Sequence, residues 1–285
     1  MQKVGSTTDT ADINGEWTNG NVAQGEPPTI LNAEILNTYQ RELVNIVVSA
    51  GYDLDPNDDS QVLKALNKIF GTGRLLNIQK FNSSGLYIPT VGTESYIVAI
   101  IGAGGGSAAA PATGANEVSI SCGGGAGAYA KGKFNNDGIN KTVTIGAGGA
   151  GGTAENIYAS DGGASSFGTL VVAPGGKAGL PAGPASPPFQ PVANTTSDNP
   201  TGGNLISAPG SSASPAVAVS NSYAIGSAGA SSFFGGGGWV VAINTSAAAG
   251  QAPGSGAGGT SRGSGGAAVA GATGADGMAI IWEYS

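Results

Sequence analysis

The sequence has no histidine, a single cysteine and little charge outside its first third. Without histidine the usual general base is gone, along with the commonest metal ligand and every Ser-His or Cys-His nucleophile pair. One cysteine, Cys122, makes neither an intrachain disulfide nor a thiolate cluster. Its Ile-Ser-Cys-Gly-Gly-Gly setting predicts a small buried core residue. No Lys/Arg cluster occurs and the net charge is −7, so no nucleic-acid backbone is expected as a partner. The longest apolar runs, such as 96–101, are strand-sized and far short of a membrane span; no membrane insertion is expected. Residues 1–25 are polar, with no signal-peptide pattern, which predicts a soluble product made in the cytoplasm without a secretion signal.

What the chain has in excess is glycine, 52 residues in 285. Nine fall in residues 1–100, leaving 43 for the rest, while 17 of the 29 charged residues lie in that same first stretch. A charged head therefore precedes a Gly/Ala/Ser-rich body, with the change of composition near 71–85. We expect an arm and helical hairpin over 1–74, a β connector over 75–94 and a glycine-rich β domain over 95–285.

Residues 1–28 carry no periodicity and read as an extended arm. From Thr29, Ile35, Leu36, Tyr39, Leu43, Ile46, Val47 and Ala50 recur at helical spacing, with Gly51 as the stop. Asp55-Pro56 reads as the cap and first turn of a second helix, with Asp58 and Asp59 at its positive end and Val62, Leu63, Leu66, Ile69 and Phe70 on its apolar face. A hairpin of about 40 residues buries too little surface to stand alone. After Gly73 the period becomes two, predicting strands at 75–81, 86–89, 95–101, 128–134, 142–145, 166–173, 239–243 and 278–283. The expected fold is mainly β with a small N-terminal α-helical part: arm and helical hairpin, then an all-β, sandwich-like glycine-rich domain.

The glycines raise a second question at 146–151, where Gly-Ala-Gly-Gly-Ala-Gly spells the dinucleotide fingerprint G-x-G-x-x-G after a strand. A Rossmann site needs those glycines to open a helix, and Gly-Thr-Ala-Glu-Asn-Ile-Tyr-Ala-Ser-Asp-Gly-Gly cannot sustain one. The phrase also recurs, as AIIGAGGG at 99–106 and VVAPGGKAG at 171–179. No cofactor is expected. Misplaced glycine costs about 0.5–1 kcal/mol per position, so a different use is predicted: polyproline-II-like runs whose backbones pack side by side.

Two stretches resemble tail fibre proteins of tailed bacteriophages. Residues 2–66 are similar to the attachment end of fibres from contractile and Mu-like phages and phage-tail bacteriocins, through TAD, NGEWT and GNVAQGEPPT in the arm, LNTYQREL in the first helix and LDPNDDSQV in the turn. Residues 96–285 resemble the glycine-rich tip of such fibres, through YIVAIIGAGGG, GAYAKGKF, VTIGAGG, GGASSFG, VVAPGG and GADGMAIIWEYS. The resemblance implies a non-enzymatic homotrimeric adhesin, located on the virion tail. Its N-terminus would dock on a tail or baseplate protein, and its tip on a bacterial surface polysaccharide or an outer-membrane or pilus protein. A tail-fibre assembly chaperone is a possible further partner. With only about 20 residues between the two ends, it would be a short fibre or tail-tip protein.

Within that reading Trp17, Pro27 and Pro28 are candidates for tail attachment, and Leu36, Leu43, Ile46 and Val47 for contact between copies. Recognition residues sit on loops held by a scaffold, here 175–224 and 225–262. Phe189, Tyr223, Phe233, Phe234 and Trp239, with Arg262 as a lone cation, are the candidates for receptor contact. Phe233-Phe234 before four glycines looks like a loop tip, whereas Trp239 opens a predicted strand. Two alternatives stay open. One is a purely structural tail or baseplate component; the other is a capsule-degrading hydrolase, for which the scattered acids of the body offer no recognisable carboxylate pair.

Overall fold

The computed structural model describes residues 2–71, 73–191 and 196–285 and divides into two compact units, Met1–Arg74 and Leu75–Ser285. The protein is mainly β, with 25% strand against 12% helix.

In the first unit, helix α1 (Ala33–Ser49) starts where Asn32 takes an extended backbone and its side chain accepts a hydrogen bond from Ile35 N at 3.1 Å, an N-cap that fills one orphan donor. Helix α2 (Gln61–Gly71) begins later than Asp55-Pro56 predicted. The intervening acids serve turns: Asp55 Oδ1 accepts from Asn57 N and Asp58 Oδ1 from Ser60 N, both at 2.9 Å. The first helical acceptor is then Ser60, whose carbonyl takes Lys64 N. Val47, Ala50 and Ala65 are buried between the two helices, with Ile46 and Val62 beside them.

Residues before α1 do not form the expected extended arm. Two short 3-10 turns, Val4–Ser6 and Val22–Gln24, fold them into loops. Their polar residues make long-range bonds: Asn32 Nδ2 donates to Thr7 O at 2.8 Å and Thr29 Oγ1 to Thr10 O at 3.1 Å. The polar residues that gave this stretch no periodicity are here its ties.

In the second unit every strand pairing is antiparallel. A five-stranded sheet runs β1 (Leu75–Phe81), β14 (Met278–Tyr284), β3 (Ser95–Ile101), β5 (Tyr129–Asn135), β10 (Ile206–Ala208). A four-stranded sheet runs β2 (Gly85–Tyr87), β6 (Lys141–Thr144), β7 (Ser165–Phe167), β8 (Val171–Ala173). The single strand expected over 166–173 is therefore the hairpin β7–β8, turned at Gly168 with φ +51°. Both sheets feed one cluster, in which the Tyr87, Tyr96 and Phe167 rings meet edge to face at 5.3–5.6 Å. Such pairs add to the area term that dominates core energetics.

Two smaller sheets complete the unit: β13 (Ser261–Arg262), β4 (Val118–Ser121) and β9 (Pro181–Ala185), and β11 (Val217–Ser220) with β12 (Tyr223–Ile225). Residues 239–243, expected as a strand, have no ladder partner and form none.

Candidate functional site

The glycine runs supply the scaffold, and they do so by a three-residue rotation. Along 102–110, Gly102 and Gly105 donate to Ala128 O and Gly125 O at 3.0 and 2.9 Å. Ala103, Gly106 and Ala109 donate to Gly163, Ser160 and Ile157, and Gly104, Ser107 and Ala110 to Ala275, Ala272 and Val269, all within 2.8–3.1 Å. Each neighbour is met every third residue, the repeat of a polyproline-II-type helix. Three further runs donate back: Gly149 and Gly152 to Gly104 O and Ser107 O, Gly176 and Gly179 to Ala103 O and Gly106 O, and Ala257 to Gly105 O. One central run is thus ringed by six others through peptide groups, with Ser107 Oγ accepting one further bond from Ala272 N at 2.9 Å.

Space, not φ, explains why glycine is required there. A Cβ on Gly102, Gly104, Gly105 or Gly106 would meet the carbonyl oxygens of Pro174, Ser255, Lys177 and Ala150, each closer than the 3.0 Å that real Cβ atoms keep. None of the four has a left-handed φ. Residues 98–111 and 118–130 are buried without a break.

The fingerprint glycines belong to this bundle. Gly146 N donates to Ser165 Oγ at 3.0 Å and Gly148 N to Asp276 Oδ1 at 2.7 Å, while Gly151 lies so close to the Ala272 backbone that a Cβ would collide with it. The first two amides are thus taken within the protein, and no helix follows the motif. Cys122 is buried beside Val118 and Ile120, and burial pushes its thiol pKa up. Among the described residues no group of three or more Cys, Asp or Glu could hold a metal ion, and no helix is long and apolar enough to cross a membrane.

On this scaffold the recognition candidates separate. Phe189 is half-buried, bridged to Ala218 and packed on the Val118–Ile120 cluster, so it is a packing residue. Phe233 is 62% exposed yet lies flat on Tyr129, with centroids 3.9 Å apart and an interplanar angle of 4°. Phe234 turns edge-on to both rings and packs against Ile101 and Met278. The pair is thus anchored on the five-stranded sheet, with Phe233 presenting its outer face. Trp239, expected to be packed, is 60% exposed.

Tyr223, also mostly exposed, lines an open groove of about 390 Å³ between β12 and residues 240–243. Arg262 is half-buried on β13 with its guanidinium over Gly266, where a side chain would collide with it. Its Nε is buried without a hydrogen-bond partner, so it is not the free surface cation the sequence suggested. Residues 192–195 of the 175–224 loop lie outside the described residues.

In the first unit Trp17, Pro27 and Pro28 are exposed, while Leu36 and Leu43 leave about half their surface open one heptad apart on α1. Ile46 is half-buried and Val47 fully buried against α2, which commits Val47 to the hairpin itself. Leu63 and Phe70 form a second exposed pair one heptad apart, on α2.

Two features were not found by sequence reasoning. Lys131 lies over the Trp282 ring at 5.4 Å, a cross-sheet pair visible only once the β3–β5–β14 register is known. Glu283, buried on β14, accepts from Tyr87 Oη at 2.8 Å, Thr90 N at 3.1 Å, Thr90 Oγ1 at 2.6 Å and Gln79 Nε2 at 3.2 Å. Burial alone would raise its pKa, but the Thr90 and Tyr87 bonds outweigh it and hold the carboxyl below the usual value. Burial and the Glu283 bond push the Tyr87 hydroxyl up. This is a structural carboxylate tying β14 to the segment after β2.

No curated protein matches the chain. A family model described as a glycine-rich domain matches residues 82–284, which takes in the bundle and the strands from β2 onward; the chain belongs to that glycine-rich domain family.

Proposed function

We propose that the protein is a short phage tail-fibre or tail-tip adhesin, homotrimeric and sandwich-like in its β unit. Its first unit docks on the tail and its glycine-rich unit touches the bacterial surface. The observation that carries this reading is the exposure of Tyr223, Phe233 and Trp239, each more than half open to solvent and all within 17 residues of the chain. Large exposed aromatics on an immobile frame suit recognition. The paired exposed heptads on α1 and α2 support association through the first unit, since they leave apolar stripes uncovered in a single copy.

The test is adsorption. Purified full-length protein is expected to bind host cells and to block phage adsorption, and Phe233→Ala combined with Trp239→Ala to weaken both at least tenfold. A folded protein that neither binds nor competes would make it a structural tail component instead. Sedimentation should give three copies, and Leu36→Asp with Leu43→Asp should reduce that number; an unchanged trimer would remove the contact assigned to these residues.

A further inference from the structure

Six residues of Leu75–Ser285 carry positive charge: Lys80, Lys131, Lys133, Lys141, Lys177 and Arg262. Three of them are engaged. Lys141 pairs with Asp137 at 2.6 Å, Lys177 with Asp161 and Asp198 at 3.4 and 3.5 Å, and the Arg262 guanidinium lies over Gly266. Lys80, Lys131 and Lys133 meet no carboxylate among the described residues.

These three share one surface. Register aligns Lys80 with Lys131 across the five-stranded sheet, and Lys133 with Trp282 and Ile78 in the next row. Both rows point away from the ring cluster, which the alternate residues Phe81, Ala130, Phe134 and Ile281 fill. No outward position of the five strands holds an acid, and Glu283 on β14 points inward to its own donors. In a chain of net charge −7, an acid-free face that collects every unpaired cation of its unit is a positive patch. Strands lie about 4.8 Å apart, so β1 and β5 run about 14 Å apart, while Lys131 and Lys133 are about 7 Å apart along β5. Lys131 is also held in place: its ammonium lies 5.4 Å from the Trp282 ring centre, a contact that orders the side chain and leaves its charge unneutralised. Two residues before it, Tyr129 carries Phe233, whose outer face is a flat apolar plate.

We propose that this face binds an anionic polysaccharide. Acid groups of the polymer pair with Lys80, Lys131 and Lys133, and a sugar ring packs on Phe233. Ring C–H groups are weakly positive and suit the negative face of an aromatic ring. A polymer with an acid on each repeat presents several charges along one chain, which matches cations spread too widely for a single small anion. An extended peptide finds no partner here, because the peptide groups of β14, β3 and β5 are spent in their ladders and the face offers side chains only. A second copy seated face to face about a two-fold axis would oppose lysine to lysine. Membrane-seated surfaces separate cations from apolar residues, whereas Lys131 lies over Trp282 in the midst of this face. That such a polymer coats the target cell rests on the adhesin reading above; the charge and shape of the face do not.

The test uses the full chain and measures binding by titration calorimetry with polymers of stated composition. Polygalacturonate and dextran sulfate are the anionic probes, and dextran is the uncharged form of the second. Both anionic polymers should bind at least tenfold more tightly than dextran. Binding of neither, or equal binding of dextran, would overturn the proposal. Polyglutamate or phosphatidylglycerol vesicles binding as tightly as the two polysaccharides would overturn it as well, by assigning the face to an acidic peptide or to a lipid surface.

Variants then locate the site. Lys80→Gln, Lys131→Gln and Lys133→Gln combined should weaken polymer binding at least tenfold. Lys3→Gln, Lys64→Gln and Lys68→Gln combined remove the same charge from the first unit and should leave affinity within twofold of wild type. Equal loss in the two triple variants would make net charge the cause and overturn the proposal. Phe233→Ala should weaken binding at least threefold, and so should Lys133→Glu alone, an exposed single change that keeps the test open if the triple variant fails to fold. Wild-type affinity in Lys133→Glu would overturn the assignment. Polymer binding by a protein that ignores host cells would sink the adhesin reading alone and leave this face as a polysaccharide site.

Discussion

The two halves of the β unit are held together in opposite ways. Between the five- and four-stranded sheets, large side chains do the work: Tyr87, Tyr96, Phe167, Ile100 and Ile281 are fully buried and touch one another. In the bundle, side chains are nearly absent and peptide groups take their place, the central run 102–110 passing its N–H groups to three neighbours in rotation. The first arrangement gains stability from apolar area removed from water, at roughly 25 cal/mol per Å². The second gains it from many hydrogen bonds of about 0.5–1.5 kcal/mol net, each expensive to leave unmade once buried. The lesson is that volume tolerance differs. A ring cluster resists losing atoms, whereas a glycine bundle resists gaining even one.

The largest effect expected is in the ring cluster. Phe167→Ala opens a cavity under Tyr87 and Tyr96 and should destabilise by about 3–5 kcal/mol in denaturant unfolding. A loss below 1 kcal/mol would mean that this core is not the anchor of the sheets.

Next is Gly104→Ala, which drives a methyl into the Ser255 carbonyl. It should cost about 3 kcal/mol by overpacking, nearly as much as the loss of a whole ring. Gly236→Ala is its control, since nothing lies within 4 Å of the added Cβ, and should stay within about 0.5 kcal/mol of wild type. If both behave alike, close packing is not why the glycines are there.

The smallest effect is that of pH. Because the folded Glu283 carboxyl is held below its ordinary value, its contribution is complete above that value, near pH 4.5, and disappears as pH falls through the folded pKa. Thermal midpoints should therefore decline below about pH 4.5, and Glu283→Gln should flatten the decline. An equally steep acid loss in the glutamine variant would place the responsible carboxylate elsewhere.

Legibility in the sequence followed the same division. Strands β3, β5 and β14 and helix α1 could be read from spacing, because their burial is set by alternate or helical side chains. Strands β4 and β9 could not: Val-Ser-Ile-Ser alternates over only four residues, both of its faces are buried, and Pro-Ala-Gly-Pro-Ala has no alternation and is a strand because it pairs with β4. The start of α2 was misread because Asp55-Pro56 mimics a cap, while the asparagine and serine that follow recruit both aspartates into turns. Residues 239–243 were misread for the converse reason, having strand composition and no partner. At the candidate site the exposure of Phe233 was anticipated but its stacking on Tyr129 was not, since 104 positions of sequence separate the two rings. In the sequence Glu283 is only one of the scattered acids of the body. Only the Tyr87 and Thr90 donors, nearly 200 residues away, reveal it as a buried tie.

The central claim is that the glycine-rich runs form an ordered, backbone-bonded bundle rather than a mobile tract of low complexity. Native-state amide hydrogen exchange addresses it directly. The account predicts that the amides of residues 102–107, 109 and 110 exchange as slowly as those of β3, opening only with global unfolding. Exchange of those amides within minutes while β3 stays protected would contradict it.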